Sequence, residues 1–412
     1  MKTKLEGIFR RIEETEADVK ALLPEENRRE RLLRDAEALE QRWPNPAERP
    51  ALYGLTVGVK DLFRVDGFPT QAGSALPAEL FAGPEASVVT ALREAGALIV
   101  GKTACDEFAY AEPPATRNPH NLAHTPGGSS GGSAAGVATG IFELGLGTQT
   151  TRSITAPASF CGVVGLKPSF GRLPFDGCVL MSPTLDTVGF LTRDVQTMEL
   201  AASVLTADWQ PVAAPVKKPT CAIPTGKYME WMWDETRETF YTQIEQLRAA
   251  GYEAREVEMP WVDDLEGLYP LIIGLLQAEM ADVHRDWVAE YAHLYRPGTL
   301  QAIQEAAPKF TAEQRVEAKA LMARLRATLT DFMNAEQIDL FVSPSQPITA
   351  PEGDRPTGYG GQTIPWCAAG MPTISLPGAM MNGLPLGFQC IARFGADETL
   401  LAYAKEIAEV LA

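Results

Sequence analysis

Histidine is scarce: in 412 residues there are four, His120, His124, His284 and His293, so a Ser-His-Asp triad has few imidazoles to draw on. His120 and His124 fall in a loop-like stretch, Asn118-Pro119-His120-Asn121, and read as polar loop residues. His284 falls in a long helical stretch among polar neighbours. The six cysteines are scattered, with no C-x-x-C and no zinc-like spacing, which argues against a zinc ribbon and a disulfide framework. Buried free thiols in a reducing compartment are expected. No apolar run approaches the ~20 residues that span a bilayer, and the first residues run into a charged stretch with no signal-like core. The expected location is the cytoplasm, with no membrane partner. Basic residues are outnumbered, and a net charge of −17 disfavours nucleic acid as a partner.

What is present is the composition of a folded protein: 45% hydrophobic and 22% charged residues in a chain long enough for one large domain or two ordinary ones. Residues 3–42 carry Leu and Ala among Glu and Arg at helical spacing, which predicts two helices broken near Pro24. Leu55-Thr56-Val57-Gly58-Val59 predicts a buried strand with Lys60 at its end. A helix over Ala86–Glu94 and a strand at Leu98-Ile99-Val100 follow, and this alternation predicts an α/β core. The stretch from 210 to 335 reads as mainly helical, over Glu235–Ala250, Leu265–Tyr295 and Ala312–Glu336. Strand character returns at Ile338–Val342. A hairpin is expected around Asn382-Gly383 between Thr373–Leu376 and Gly387–Ile391, and a helix over Glu398–Leu411 closes the chain.

Residues 127–168 are dense in Gly, Ser, Ala and Thr yet too apolar for a linker, so they predict tightly packed backbone. Within them, Gly127-Gly128-Ser129-Ser130-Gly131-Gly132-Ser133 can bring hydroxyls and amides to one point. Taken alone, it reads more simply as a Gly/Ser turn into a helix. A phosphate cradle is disfavoured because no G-K-[ST] follows. The second element, Gly147-Thr148-Gln149-Thr150-Thr151-Arg152-Ser153, follows an expected strand over Phe142–Leu146. The nucleophile elbow G-x-S-x-G is absent, which argues against an α/β-hydrolase site. With histidine in short supply, lysine is the natural candidate to activate a serine. Lys60 meets that need only if buried: an exposed lysine, near ~10.4, is almost wholly protonated at neutral pH, whereas an apolar setting favours the free amine. From the Lys60-Asp61 dipeptide alone, a paired structural lysine is the simpler reading.

Taken in order, these motifs resemble the amidase signature family. The chain carries Gly127–Gly132, then Gly147–Ser153, then Cys161-Gly162-Val163-Val164-Gly165-Leu166-Lys167-Pro168. Gly58-Val59-Lys60-Asp61 stands upstream, with Asp186-Thr187-Val188-Gly189 and Gly383-Leu384-Pro385-Leu386-Gly387-Phe388-Gln389 downstream. The resemblance spans residues 50–410 and in length is closest to short, single-domain members such as malonamidase. It implies a single large α/β domain, a mixed twisted sheet covered by helices on both faces. Within residues 1–412 it suggests N-terminal helices over 1–50, a signature core over 51–205, a mainly helical insertion over 206–335 and a return to the sheet over 336–412. It implies amide hydrolysis with Ser153 as nucleophile, Ser129 as bridge through a cis peptide, and Lys60 as base. Thr150, Thr151, Arg152 and Ser153 would form the oxyanion hole with backbone N–H groups, Ser130 would stand beside them, and Phe108 and Tyr110 would line the acyl pocket. Asp186 would brace the loop, and Lys167 would be structural.

Two departures from the family stand out. Thr151-Arg152 replaces Gly-Gly, and at positive φ a β-branched Thr151 would cost about 1–3 kcal/mol. An arginine shortly after the nucleophile gives way to Thr155 or Ala156, so an acid-anchoring role does not carry over. No metal cluster or nucleotide fingerprint occurs, and neither metal nor cofactor is expected. The expected partner is a small-molecule amide, with a homodimer implied by family analogy. The alternatives are a non-catalytic binding protein and an amidotransferase subunit that releases ammonia from glutamine. Trp231 and Trp233, two positions apart, cannot face the same way on a helix and read as a packing edge or pocket wall.

Overall fold

In a computed structural model, which describes residues 1–212, 217–261, 265–353 and 361–412, the strand-forming segments join one sheet. The strands are β1 (Thr56–Lys60), β2 (Leu98–Thr103), β3 (Leu144–Gln149), β4 (Val164–Lys167), β5 (Thr187–Thr192), β6 (Thr220–Pro224), β7 (Glu253–Val257), β8 (Leu340–Pro344), β9 (Thr373–Met381) and β10 (Leu384–Ile391). Their order is β2-β1-β3-β5-β4-β9-β10-β8-β6-β7. Parallel pairs form both wings, β2-β1-β3 and β8-β6-β7, while the strands between pair antiparallel. The result is a single domain with a large mixed sheet flanked by helices.

The N-terminal helices, Lys2–Val19 and Arg28–Arg42, are separated around Pro24 as the sequence predicts. Asn382 and Gly383 both take positive φ, the backbone a two-residue hairpin needs, and join β9 to β10. Four strands were not read from the sequence, β4, β5, β6 and β7. β4 and β5 lie in the middle of the sheet, whereas β6 and β7 fall within the stretch read as mainly helical and complete one wing. The helix expected over Leu265–Tyr295 is in fact two, Leu265–Val283 and Arg285–Tyr291, broken at His284. Trp231 and Trp233 lie between helices. Trp231 packs edge-on against Tyr269, and Trp233 is exposed. Among the described residues, no helix is long and apolar enough to cross a membrane.

The sheet separates two apolar layers. Val57 and Val59 of β1 face the larger core, whereas Leu98 and Val100 of β2 face a smaller one under the N-terminal helices. β2 carries one extra residue opposite Val57-Gly58, since Val57 pairs with Ile99 and Gly58 with Gly101. Such a bulge reverses the facing of every later side chain on its strand. Beyond it, Lys102 stands beside Val59 and Thr103 beside Lys60. On the smaller-core side a helix of small residues, Gly131–Ala138, lies tight on the sheet. A β-carbon at Gly132 would collide with the backbone of Ala21 and Ala104.

Candidate active site

Lys60 ends β1 fully buried, and its amine nitrogen lies within hydrogen-bond distance of three hydroxyls. These are Ser129 Oγ at 2.7 Å, Thr148 Oγ1 at 2.9 Å and Ser130 Oγ at 3.0 Å. Its sequence neighbour Asp61 points to the opposite face and pairs with Lys102 Nζ at 2.8 Å, both side chains being buried. Asp61 also accepts from the amides of Gln71 and Gly73. The pairing of Lys60 with Asp61 that the dipeptide suggests therefore does not occur. Burial pushes the Lys60 amine below the ordinary lysine range. Cys105, Asp106, Cys178 and Asp186 oppose that shift from a distance. A buried amine held by neutral oxygens is the setting in which a lysine serves as a base.

Ser129 and Ser130 sit in the turn that opens the Gly131–Ala138 helix, and the Gly128–Ser129 peptide is cis. Ser130 ties this turn to the rest of the site. Its N–H donates to the carbonyl of Ser153 at 3.2 Å, and its hydroxyl donates to the carbonyl of Thr148 at 3.2 Å. Ser153 itself is 6% exposed and precedes a short helix, Thr155–Cys161.

Two braces hold the segment from Thr150 to Ser153. Gln149 Oε1 accepts from the N–H groups of Ile154 (2.8 Å) and Thr155 (2.9 Å), just beyond the serine. Its amide nitrogen donates to Cys367 Sγ at 3.2 Å, and that thiol donates to the Thr151 carbonyl at 3.1 Å. Asp186 takes the Thr150 hydroxyl at 2.5 Å and the amides of Met181 (2.8 Å) and Ser182 (2.9 Å). Burial raises the Asp186 carboxyl to about 6 despite those donors. Neither Thr151 nor Arg152 adopts positive φ. The loop thus accommodates the residues that replace Gly-Gly without the left-handed backbone that would strain a threonine. Arg152 is half-buried, and Asp106 and Tyr110 are among the groups that sustain its charge against burial.

Of the two pocket residues expected from the 108–110 segment, Phe108 packs into an aromatic cluster and Tyr110 faces Arg152. Phe108 is sealed in an aromatic cluster, 4.4 Å from the ring of His284 and 5.3 Å from that of Tyr295, so it offers no open surface to a ligand. Tyr110 is half-buried, and its hydroxyl accepts from Gln277 at 2.8 Å in a small surface cleft. Three of the four histidines are engaged with other groups. His120 meets the carbonyl of Cys161 and His124 that of Ala350. His284, buried rather than among polar groups, contacts the Tyr295 hydroxyl, and burial pushes its ring down to about 3. Two residues of the site escaped the sequence reading, Asp106 and Cys367. Cys367 lies 218 positions from Gln149, so no local spacing could have linked them. Among the described residues, no group of three or more His, Cys, Asp or Glu side chains could hold a metal.

Comparison with known proteins identifies the family. Residues 4–401 match the family described as Amidase. A glutamyl-tRNA(Gln) amidotransferase subunit of Koribacter versatilis is 31% identical over 458 residues, covering 99% of this chain and 94% of that one. An amidase of Pseudomonas putida is 31% identical over 410 residues, covering 88% and 83%. A solved structure, "Crystal structure of amidase", superposes with a TM-score of 0.90 at 33% identity, covering 99% of this chain and 96% of that one. On a match that runs nearly end to end, the chain belongs to the amidase family, the enzymes of the amidase signature.

Proposed function

We propose that this chain hydrolyses a linear amide of a small molecule through an acyl-enzyme on Ser153. Lys60, uncharged, takes a proton from Ser129 as Ser129 takes one from Ser153, and Ser153 Oγ bonds to the amide carbonyl carbon. Backbone N–H groups of residues 150–153 receive the negative charge that develops on the carbonyl oxygen. The tetrahedral adduct collapses with loss of the amine, which leaves carrying the proton returned through Ser129. Water then adds to the acyl carbon by the same relay, releasing the acid and restoring Ser153.

The observation that carries this reading is the Lys60 amine, buried and hydrogen-bonded to three hydroxyls, while the neighbouring carboxylate is taken by a different lysine. A fluorophosphonate, which needs only an activated serine, tests it without knowledge of the substrate. Covalent label on the peptide that contains Ser153, and none on Ser153→Ala protein, is the expected result. Label on Ser153→Ala at the wild-type rate would refute the assignment.

A second reading, supported by the name of the Koribacter versatilis relative, is ammonia release from glutamine within a larger assembly. Glutamine-dependent ammonia production only in the presence of co-purifying chains would favour it over a stand-alone amidase. An inactive binding protein would leave Ser153 unlabelled.

A further inference from the structure

Asp106 lies three residues beyond the end of β2 and is 5% exposed. Its two carboxylate oxygens occupy the space that a β-carbon on residue 128 would need, so the acid rests on the glycine that precedes Ser129. The proposed chemistry makes no use of it, yet it is surrounded by charge from several elements. Lys60 faces it from β1, Arg152 from the residue before Ser153, and Arg296 from the turn before the Pro297–Gln301 helix. The adjacent Glu107 is occupied elsewhere, accepting the Arg296 N–H with both oxygens at 3.1 Å. Asp186 and the buried thiols of Cys105 and Cys178 face the same amine as Asp106 does.

We infer that Asp106 is a positioning residue of this site: its carboxylate, packed on Gly128, fixes the turn that carries Ser129 and supplies the negative charge that balances Lys60 and Arg152. This rests on the reading of Lys60 as the base. Without Asp106 the site would hold a guanidinium and an amine with less to offset them, and a further proton on the amine would be disfavoured. With it, the guanidinium is tolerated one residue from the nucleophile, and part of the effect of burial on Lys60 is cancelled. Burial raises the Asp106 carboxyl to about 6, so at neutral pH the ionised form prevails. Its charge therefore holds Lys60 closer to the ammonium than burial alone would.

The pH dependence of the rate constant for fluorophosphonate labelling of Ser153 separates charge from packing. In Asp106→Asn the shape is kept and the charge removed, so the acid limb is expected to move to lower pH, by on the order of one unit. In Asp106→Glu the charge is kept but the extra methylene has no room against Gly128, so the plateau falls while the limb stays. A uniform loss in Asp106→Asn with an unmoved limb, or a profile identical to wild type, would overturn the inference. If Asp106→Asn does not fold, Gly128→Ala serves instead, because the added β-carbon displaces the carboxylate. A lowered plateau in folded Gly128→Ala protein supports the seat proposed for Asp106, and wild-type labelling contradicts it. A wild-type protein that is not labelled at Ser153 would instead sink the enzyme reading itself.

Discussion

Lys60 and Lys102 stand on adjacent parallel strands, both buried, and differ in what meets the amine. Lys102 has a carboxylate, Asp61, at 2.8 Å. Lys60 has three hydroxyls and no carboxylate within hydrogen-bond reach among the described residues. A buried lysine with an acid is an ion pair whose worth is structural. A buried lysine among hydroxyls has its charged form penalised by lost solvation and only partly repaid by more distant acids, which leaves the amine able to give up its proton and act as a base. One bulge separates the two fates. Without the extra residue in β2, strand alternation would turn Lys102 away from Asp61 and leave that acid for other company.

The comparison can be broken most sharply at Lys60. Lys60→Met should lower fluorophosphonate labelling of Ser153 by about 10²–10⁴-fold, the usual loss of a general base, with a melting temperature that holds or rises. A variant that is labelled normally but melts far lower would place Lys60 in the class of Lys102. The reciprocal change, Lys102→Met, should act on stability first. Leaving Asp61 buried without its countercharge costs about 3–5 kcal/mol, readable as a lower urea midpoint, while folded protein keeps most of its labelling rate. Normal stability with a collapsed rate would reverse the roles assigned to the two lysines. The smallest effect is expected at the loop brace. Cys367→Ala removes the thiol's bonds to Thr151 and Gln149, each worth roughly 0.5–1.5 kcal/mol, and should slow labelling by less than about tenfold, with Cys367→Ser recovering part of it. A loss as large as that at Lys60 would mean that the loop, and not the base, limits the site.

Lys60, Ser129 and Ser153 were singled out through the order of motifs that resembles the family, since the Lys60-Asp61 dipeptide and the Gly/Ser turn taken alone favour structural readings. β1, β3 and the β9-β10 hairpin were legible as apolar runs bounded by turn residues. What stayed hidden was brought together by the tertiary structure. The bulge that pairs Asp61 with Lys102 leaves no local mark, because Val100 looks like any strand residue. Asp106 reads as one more charged loop residue until Gly128 is folded against it. Phe108, expected at the pocket from the resemblance, takes positive φ and packs in an aromatic cluster with His284, a setting that the sequence does not announce. β6 and β7 were hidden because a five-residue strand flanked by proline, and another with three of five residues at least partly exposed, carry little periodic signal.

The most direct measurement is the rate of fluorophosphonate labelling of Ser153 in wild-type protein as a function of pH. With Lys60 held below the ordinary lysine range by burial, the uncharged base accumulates as pH rises through its lowered pKa. The rate should therefore rise with a midpoint below pH ~10.4, the value for a lysine in water. A rate that keeps climbing through that value, or one that does not depend on pH in Lys60→Met and wild type alike, would contradict the account.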